Sequence, residues 1–386
     1  MPTSFYLALK ETWRNKGRFL LFSMVIALIT LLILFIAALG EGLGAGNREY
    51  IEKLNAELLV YQDTADLSIA SSRIGCETRN ALRGVNGVQD VGAVGFSSAT
   101  IPDDETGDEL DVSLIGVEPG RPGEPPVISG QGLERRDANE AVIDRMVAEV
   151  TGLHVGDRFN IRVPQAGEEK TYLLKVLGVT ESQMYGIRPS MFVPIVKWDE
   201  LRPQATASGG TQDPACNVAA VKLQNPGEVD AIRARLAAQV RNIEAVDLQT
   251  AYQNTPGYTA QQQTLNTQNG FALLIGLLVI GGFFQIQTLQ KVPQIGMLKA
   301  IGTPNSVIAL ASLIQIVIIN ALGVVVGGLV SYGLSLVFPP GIPLVFEGGA
   351  ITRALGSIMV IGPLGGLVSI RLSLRVEPLI ALGLGG

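Results

Sequence analysis

Residues 19–40, FLLFSMVIALITLLILFIAALG, contain no charged side chain. A helix needs about 20 mostly apolar residues to cross the hydrocarbon of a bilayer, and this run supplies them. Working outward, three more stretches read the same way: Phe271 to Leu289, Val307 to Val337 and Ile351 to Ile370. The third span is longer than a bilayer needs, so it is expected to tilt or to extend past the surface. Composition agrees. Apolar residues make up 47% and charged residues 17%, where a soluble domain carries about 25% charge, and mean hydropathy is +0.33. Glycine, at 45 of 386 residues, suits closely packed membrane helices. Disordered, collagen-like and disulfide-dense chains are excluded, and a net charge of −6 leaves no footprint for nucleic acid. The chain reads as an integral membrane protein, with the lipid bilayer as its first partner. The alternative for the first run is a cleaved signal peptide with Ala37 and Ala38 near the cut; signal cores run to about 7–15 residues, and this one is longer.

Basic residues set the orientation. Lys10, Arg14, Lys16 and Arg18 crowd the start of the first span, which predicts a cytoplasmic N-terminus. Threading onward puts Asn47 to Thr264 outside, the loop carrying Lys291 and Lys299 inside, the loop with Glu347 outside, and Arg371 and Arg375 inside; Arg353 alone disagrees. The expected fold class is an α-helical membrane protein with four transmembrane helices and a large α+β extracytoplasmic domain. Its predicted segments are an amphipathic cytoplasmic helix at 1–18, spans at 19–40, 265–290, 306–337 and 351–371, the external domain at 41–264, a cytoplasmic loop with a short helix at 291–305, an outer loop at 338–350 and a cytoplasmic tail at 372–386.

The external insert alternates strands and helices. Val112–Val117, Arg158–Val163, Tyr172–Val179 and Val218–Leu223 are rich in β-branched residues and read as strands. From Val218, a strand meets Asn225-Pro226-Gly227, then a helix (EVDAIRARLAAQV), then a second strand (NIEAVDL), a βαβ pattern. A weaker version runs from Leu58 through a helix at Arg73–Val85 into Val88–Ser97, which suggests an internally repeated module. Residues 139–161, NEAVIDRMVAEVTGLHVGDRFNI, read as a helix ended near Gly152, then a Gly-Asp turn entering a strand. His154 is the only histidine; with no second imidazole or cysteine nearby it reads as a turn residue rather than a metal ligand. Cys76 and Cys216 both fall in this domain, where an oxidising compartment permits a bridge, and a single sequence does not show whether they meet. No nucleophile sits beside a base, so catalysis has no seat here. Gly40-Glu-Gly-Leu-Gly-Ala-Gly46 matches neither phosphate-binding glycine pattern and reads as a flexible exit from span one.

The span interiors lack ionisable residues, which argues against proton- or sodium-coupled transport. Gln285, Gln287, Gln315 and Asn320 read as interhelical glue. Gly323, Gly327, Ser331 and Ser335 place a small residue at every fourth position of span three, and Gly362 and Gly366 repeat the spacing in span four. Such a face serves either packing within one subunit or a dimer seam. Before span one, Tyr6, Leu9 and Trp13 form an apolar stripe suited to an interfacial helix, with Pro2 and Thr3 at its start. After span two, residues 289–308, LQKVPQIGMLKAIGTPNSVI, contain a short helix from Gln294 to Ile301 with Ile295, Leu298 and Ile301 on one side, stopped by Gly302 and Thr303-Pro304. An apolar face exposed to the cytoplasm needs a partner to cover it.

Three segments, RNKGR before span one, KVPQIGMLKAIGT after span two and RVEPLIAL at the end, together with the 139–161 stretch, resemble the FtsX/MacB-like ABC transporter permeases of the type VII, mechanotransmission kind. The resemblance covers nearly the whole chain in order. It implies a bacterial inner-membrane, multi-pass protein with both termini cytoplasmic, stalk-like extensions of spans one and two (Thr259 to Asn269 looks like one), and a homodimer or a pairing with a paralogue. It also implies that Gln294, Ile295, Gly296, Met297, Leu298, Lys299, Ala300, Ile301, Gly302 and Thr303 form the coupling helix that seats in an ABC ATPase subunit. Gln294 stands where the family usually has an acidic residue, and Pro293 precedes it. No Walker motif occurs, so the chain itself is expected to bind no cofactor, with ATP and Mg on the partner ATPase. The expected function is a permease subunit whose external domain moves to export or extract a lipid, peptide or hydrophobic compound, with a membrane fusion or adaptor protein as a further partner. The rivals are a signalling scaffold that regulates a cell-wall hydrolase and a membrane-anchored enzyme.

Overall fold

The computed structural model describes residues 5, 10, 13, 16–102, 109–165, 167–202, 215–255, 258–337, 344–346 and 348–375. The stripe residues Tyr6 and Leu9, the start at Pro2 and Thr3, the loop position Glu347 and the closing VEPLIAL lie outside these. The chain forms two compact units, residues 44–261 on the one hand and 1–43 with 262–386 on the other.

The unit of residues 44–261 is built on the Val218 pattern. β9 (Val218–Leu223), α5 (Val229–Gln239) and β10 (Ile243–Asp247) follow one another as the sequence predicts, but β9 and β10 are not neighbours. Between them lies β1 (Leu58–Gln62), antiparallel to both. The earlier half behaves in the same way. β1, α2 (Cys76–Arg83) and β2 (Val88–Pro102) form the second unit, and β9 separates its strands. The order β10-β1-β9-β2 is therefore two interleaved split βαβ units. Each half lends the strand that fills the other, which is why neither is a module by itself.

The strand-rich part is inserted between β2 and β9. It contains β3 (Glu109–Val117), β4 (Val127–Gly130), β5 (Glu140–Asp144), α3 (Arg145–Thr151), β6 (Arg158–Gln165), β7 (Glu168–Thr180), β8 (Ser190–Pro194) and α4 (Ile195–Leu201). Its strands continue the same sheet in the order β3-β8-β5-β7-β4, and β6 pairs β7 and returns to β2 at Thr100–Arg162. The expectation of a helix through NEAVID is corrected here: Glu140–Asp144 is a strand buried between β7 and β8. The helix starts only after Asp144, whose Oδ1 accepts from Met146 N at 2.7 Å, and it ends at Gly152 with φ of 68°. His154 is exposed and sits in the turn, its N–H donating to Asp157 Oδ2.

The sheet packs around Trp198 of α4, which is 2% exposed and donates from Nε1 to Ser97 Oγ at 3.0 Å. Gly95 and Gly116 make room for it: a Cβ would stand 2.5 Å from the ring at the first and 2.4 Å from Trp198 Cβ at the second. Trp198→Ala empties this site and is expected to cost about 3–5 kcal/mol, read as a lowered denaturation midpoint of the purified chain.

The other unit is helical. α1 (Lys16–Glu52), α7 (Tyr258–Ala300) and α8 (Asn305–Ser335) are long and apolar enough to cross a membrane, and α9 (Gly348–Arg375) carries a shorter apolar stretch, Ile351–Leu367. Small residues set their approach. On α8, a Cβ at Gly323 would lie 2.5 Å from Ile26, and one at Gly327 would lie 2.5 Å from Ala27 O. Ser331 is buried on the same face, while Ser335 is half-buried and donates to Tyr332 O. Of the two readings of this face, the structure uses Gly323 and Gly327 for packing on α1 of the same chain. Gly362 of α9 accommodates Asn320, which is fully buried and donates from Nδ2 to Ile358 O at 3.0 Å, and Gly366 meets Ile316. Asn320 thus ties α8 to α9. Gln285, by contrast, is exposed.

The reading of residues 40–46 as a flexible exit is also corrected. They are helical throughout, and the α1 helix continues to Glu52. The glycines serve as places of close approach, Gly40 to Leu265 and Gly46 to Ile187.

Candidate functional site

The predicted coupling segment is not a separate helix in a loop. α7 runs without a break from Tyr258 to Ala300, with Pro293 inside it. Proline removes one backbone donor and frees the carbonyl four residues earlier, yet the residues on both sides of it stay helical. The span therefore extends directly into the segment Gln294–Ala300, as one rod.

The rod ends in a built stop. Thr303 N donates to Leu298 O and Gly302 N to Lys299 O, both at 3.0 Å, with Gly302 at φ of 88°. These two bonds around a left-handed glycine form a Schellman cap, and α8 begins two residues later. Gly302→Val places a β-branched residue in that conformation, which costs on the order of 1–3 kcal/mol. The expected result is a lower melting temperature of the purified protein, which Gly302→Asn, tolerant of this conformation, largely avoids.

The faces of this segment differ from the expected stripe of Ile295, Leu298 and Ile301. Ile295 is buried, and Leu298 is half-buried in a cleft shared with Thr303, Val307 and Ile308. The residues that face outward are Gln294, Met297, Ala300 and Ile301, with Met297 56% and Ile301 75% exposed. Successive helical residues are 100° apart, so 294, 297 and 301 share one side while 295 and 298 turn inward. The inward side is not separable in the sequence, because apolar residues fall on both sides of the segment.

Two lysines hold the segment. Lys291 Nζ donates to Gln315 Oε1 at 2.9 Å and lies 5.6 Å from the centre of the Phe19 ring, joining α7 to α8 and α1. Lys299 Nζ donates to Leu374 O at 2.7 Å, which satisfies a carbonyl in the last turn of α9. Sequence reading took both lysines as topology signals and missed these ties. Gly296 is buried against the bundle.

In the unit of residues 44–261, Cys76 and Cys216 are free thiols, the first half-buried and the second buried. Burial pushes the Cys216 thiol above the usual range, opposed by the Arg79 guanidinium that bonds it. Ile74 and Cys216 pair as an antiparallel bridge, so the two cysteine-bearing stretches do run side by side.

The family model of the MacB-like periplasmic core domain matches residues 19–239, and that of the FtsX-like permease C-terminal region matches residues 269–378. The chain belongs to the FtsX/MacB-like ABC transporter permeases. A relative from Staphylococcus haemolyticus, named as a hemin transport system permease protein, HrtB, is 25% identical over 98% of this chain and 99% of its own length. The protein of the same name from Staphylococcus epidermidis is 24% identical, also over 98% and 99%. Among solved structures, the extracellular domain of the ABC-type transporter YknZ from Gram-positive bacteria aligns at 18% identity, covering 50% of this chain and 100% of that one, with a TM-score of 0.35. The periplasmic region of MacB from Actinobacillus actinomycetemcomitans aligns at 12% identity, covering 53% and 95%, also with a TM-score of 0.35. The chain is a transporter membrane component, with a MacB-like α+β domain and helices long and apolar enough to cross a membrane.

Proposed function

We infer that this chain is the permease subunit through which a separate ABC ATPase drives movements of the 44–261 domain, to export or extract a hydrophobic compound from the outer face of the membrane. The observation that carries this is the exposed apolar side of Met297 and Ile301 at the tip of a helix that is continuous with a membrane span. A rigid rod can pass on a push at its end, where a separate loop helix would absorb it. In this reading α9 is the fourth span, both termini are cytoplasmic, ATP and Mg stay on the ATPase, and a second copy or paralogue completes the permease.

The relatives named for hemin transport favour an amphipathic, largely apolar cargo over a peptide, and they do not favour the hydrolase-regulating scaffold. The test is to co-express the chain with a candidate ABC ATPase subunit from the same genome, purify through the permease, and compare hemin tolerance of cells with and without the pair. A stable complex that hydrolyses ATP, and cells that lose tolerance when either gene is deleted, are the expected results. Absence of a complex removes the coupling role; a complex without any change in hemin tolerance removes the cargo class alone.

A further inference from the structure

The chain between β7 and β8, Glu181–Pro189, is gripped from two sides by carboxylates of different elements. Glu49, in the last turn of α1, accepts from Ser182 Oγ at 2.9 Å and from Met184 N at 3.3 Å, both on Oε2. Asp144 takes the residue between them: Gln183 N donates to its Oδ2 at 2.6 Å. Lys53 Nζ then bridges Glu49 Oε1 at 2.6 Å and Ser182 O at 2.7 Å. The backbones join as well, Tyr50 N donating to Met184 O at 3.2 Å and Ile187 N to Gly46 O at 3.0 Å. Glycine permits that approach, since a Cβ at position 46 would lie 3.2 Å from Ile187 Cα.

Inside this loop, Tyr185 and Arg188 exchange backbone bonds of 3.1 and 3.2 Å around Gly186 and Ile187, at φ of 62° and 61°. A hairpin turn with two positive φ angles ordinarily uses Asn-Gly. Isoleucine is a poor occupant, because its branched Cβ crowds the left-handed backbone, and it stays there only where its surroundings hold it. The hold comes from α1 through Gly46 O. Directly after the hairpin the chain enters β8, all five residues of which are buried, between β3 and β5.

We propose that Glu49 is a positioning residue in a strained joint: it fixes the 181–189 hairpin to the end of α1, so that displacement of this helix enters the sheet at β8. The proposal rests on the force-relay reading above and names the place where the relay meets the domain. Side-chain bonds at Glu49 and Asp144 set the register of the hairpin, and the strain at Ile187 releases when α1 withdraws Gly46 O.

The test is amide hydrogen exchange on the full chain with its ATPase in lipid nanodiscs, with and without ATP and vanadate. In the wild type, trapping should change exchange across residues 181–194. Glu49→Ala should speed resting exchange at 183–187 about tenfold and abolish the trapping response there, and Glu49→Gln, which keeps an accepting oxygen, should restore both. Ile187→Gly keeps the main-chain bond to Gly46 O and should slow exchange at 185–188, after correction for intrinsic rates. A trapping response at 181–194 that survives Glu49→Ala overturns the joint while leaving the relay standing. A wild type in which nothing beyond Gly44 responds to trapping removes the relay, and the joint with it.

Discussion

Gly327→Leu is expected to leave little folded protein in the membrane, while Gly328→Leu one position on is expected to behave like the wild type. At 327 a Cβ would lie 2.5 Å from Ala27 O and 2.7 Å from Thr30 Cβ, and backbone on α1 cannot step aside as a flexible side chain can. At 328 nothing lies within 4 Å. Overpacking typically costs about 1–3 kcal/mol, and a branched side chain driven into a helix backbone belongs at or above the upper end. Lipid supplies no hydrophobic force to reseat separated helices, so their association depends on this fit. Fluorescence-detected gel filtration of solubilised membranes measures the outcome. Equal monodisperse peaks for the two variants would show that the small face is not an internal seam.

The second large effect is at the tip of α7. Met297→Asp and Ile301→Asp should each weaken ATPase binding about 30-fold or more, since central apolar anchors of an interface are typically worth at least 2 kcal/mol. Both side chains point away from the bundle, so melting of the permease alone should stay as in the wild type. Leu298→Asp should do the reverse of this pattern. It puts a carboxylate into the cleft with Thr303, Val307 and Ile308, and the permease itself should melt lower before any question of binding arises. Co-purification and melting, measured on the same three variants, separate the two cases. If Leu298→Asp loses the ATPase while retaining full stability, the assignment of faces is wrong.

The elements that could be read from the sequence are those whose signal is local. β9, α5, β10, β6 and β7 announce themselves by β-branched runs and turn residues, and the spans by uninterrupted apolar length. The interleaving of the two βαβ halves could not be read, because strand neighbours are chosen by contacts far apart in sequence. β5 was missed because Asp144 both closes the strand and caps the helix, which makes NEAVIDRMVAEV look like one helical pattern. Lys291 and Lys299 read as a loop where the helix continues. The glycines of 40–46 suggested freedom, whereas in a packed helix their missing side chains are used for proximity. Of the candidate site, the segment was legible and its outward face was not.

The first and last strands of the 44–261 unit share one ladder. Leu58, the first residue of β1, is paired with Asp247, the last residue of β10, so the chain enters and leaves the sheet at neighbouring points of the same rim. If the two ends were drawn apart, the ladder would open like a zipper, each bond carrying the whole tension in turn, which is the weakest way to stress a sheet. Moved in step, the same two ends leave every bond unstrained. This ladder is thus suited to a load that moves Leu58 and Asp247 together, and unsuited to one that parts them.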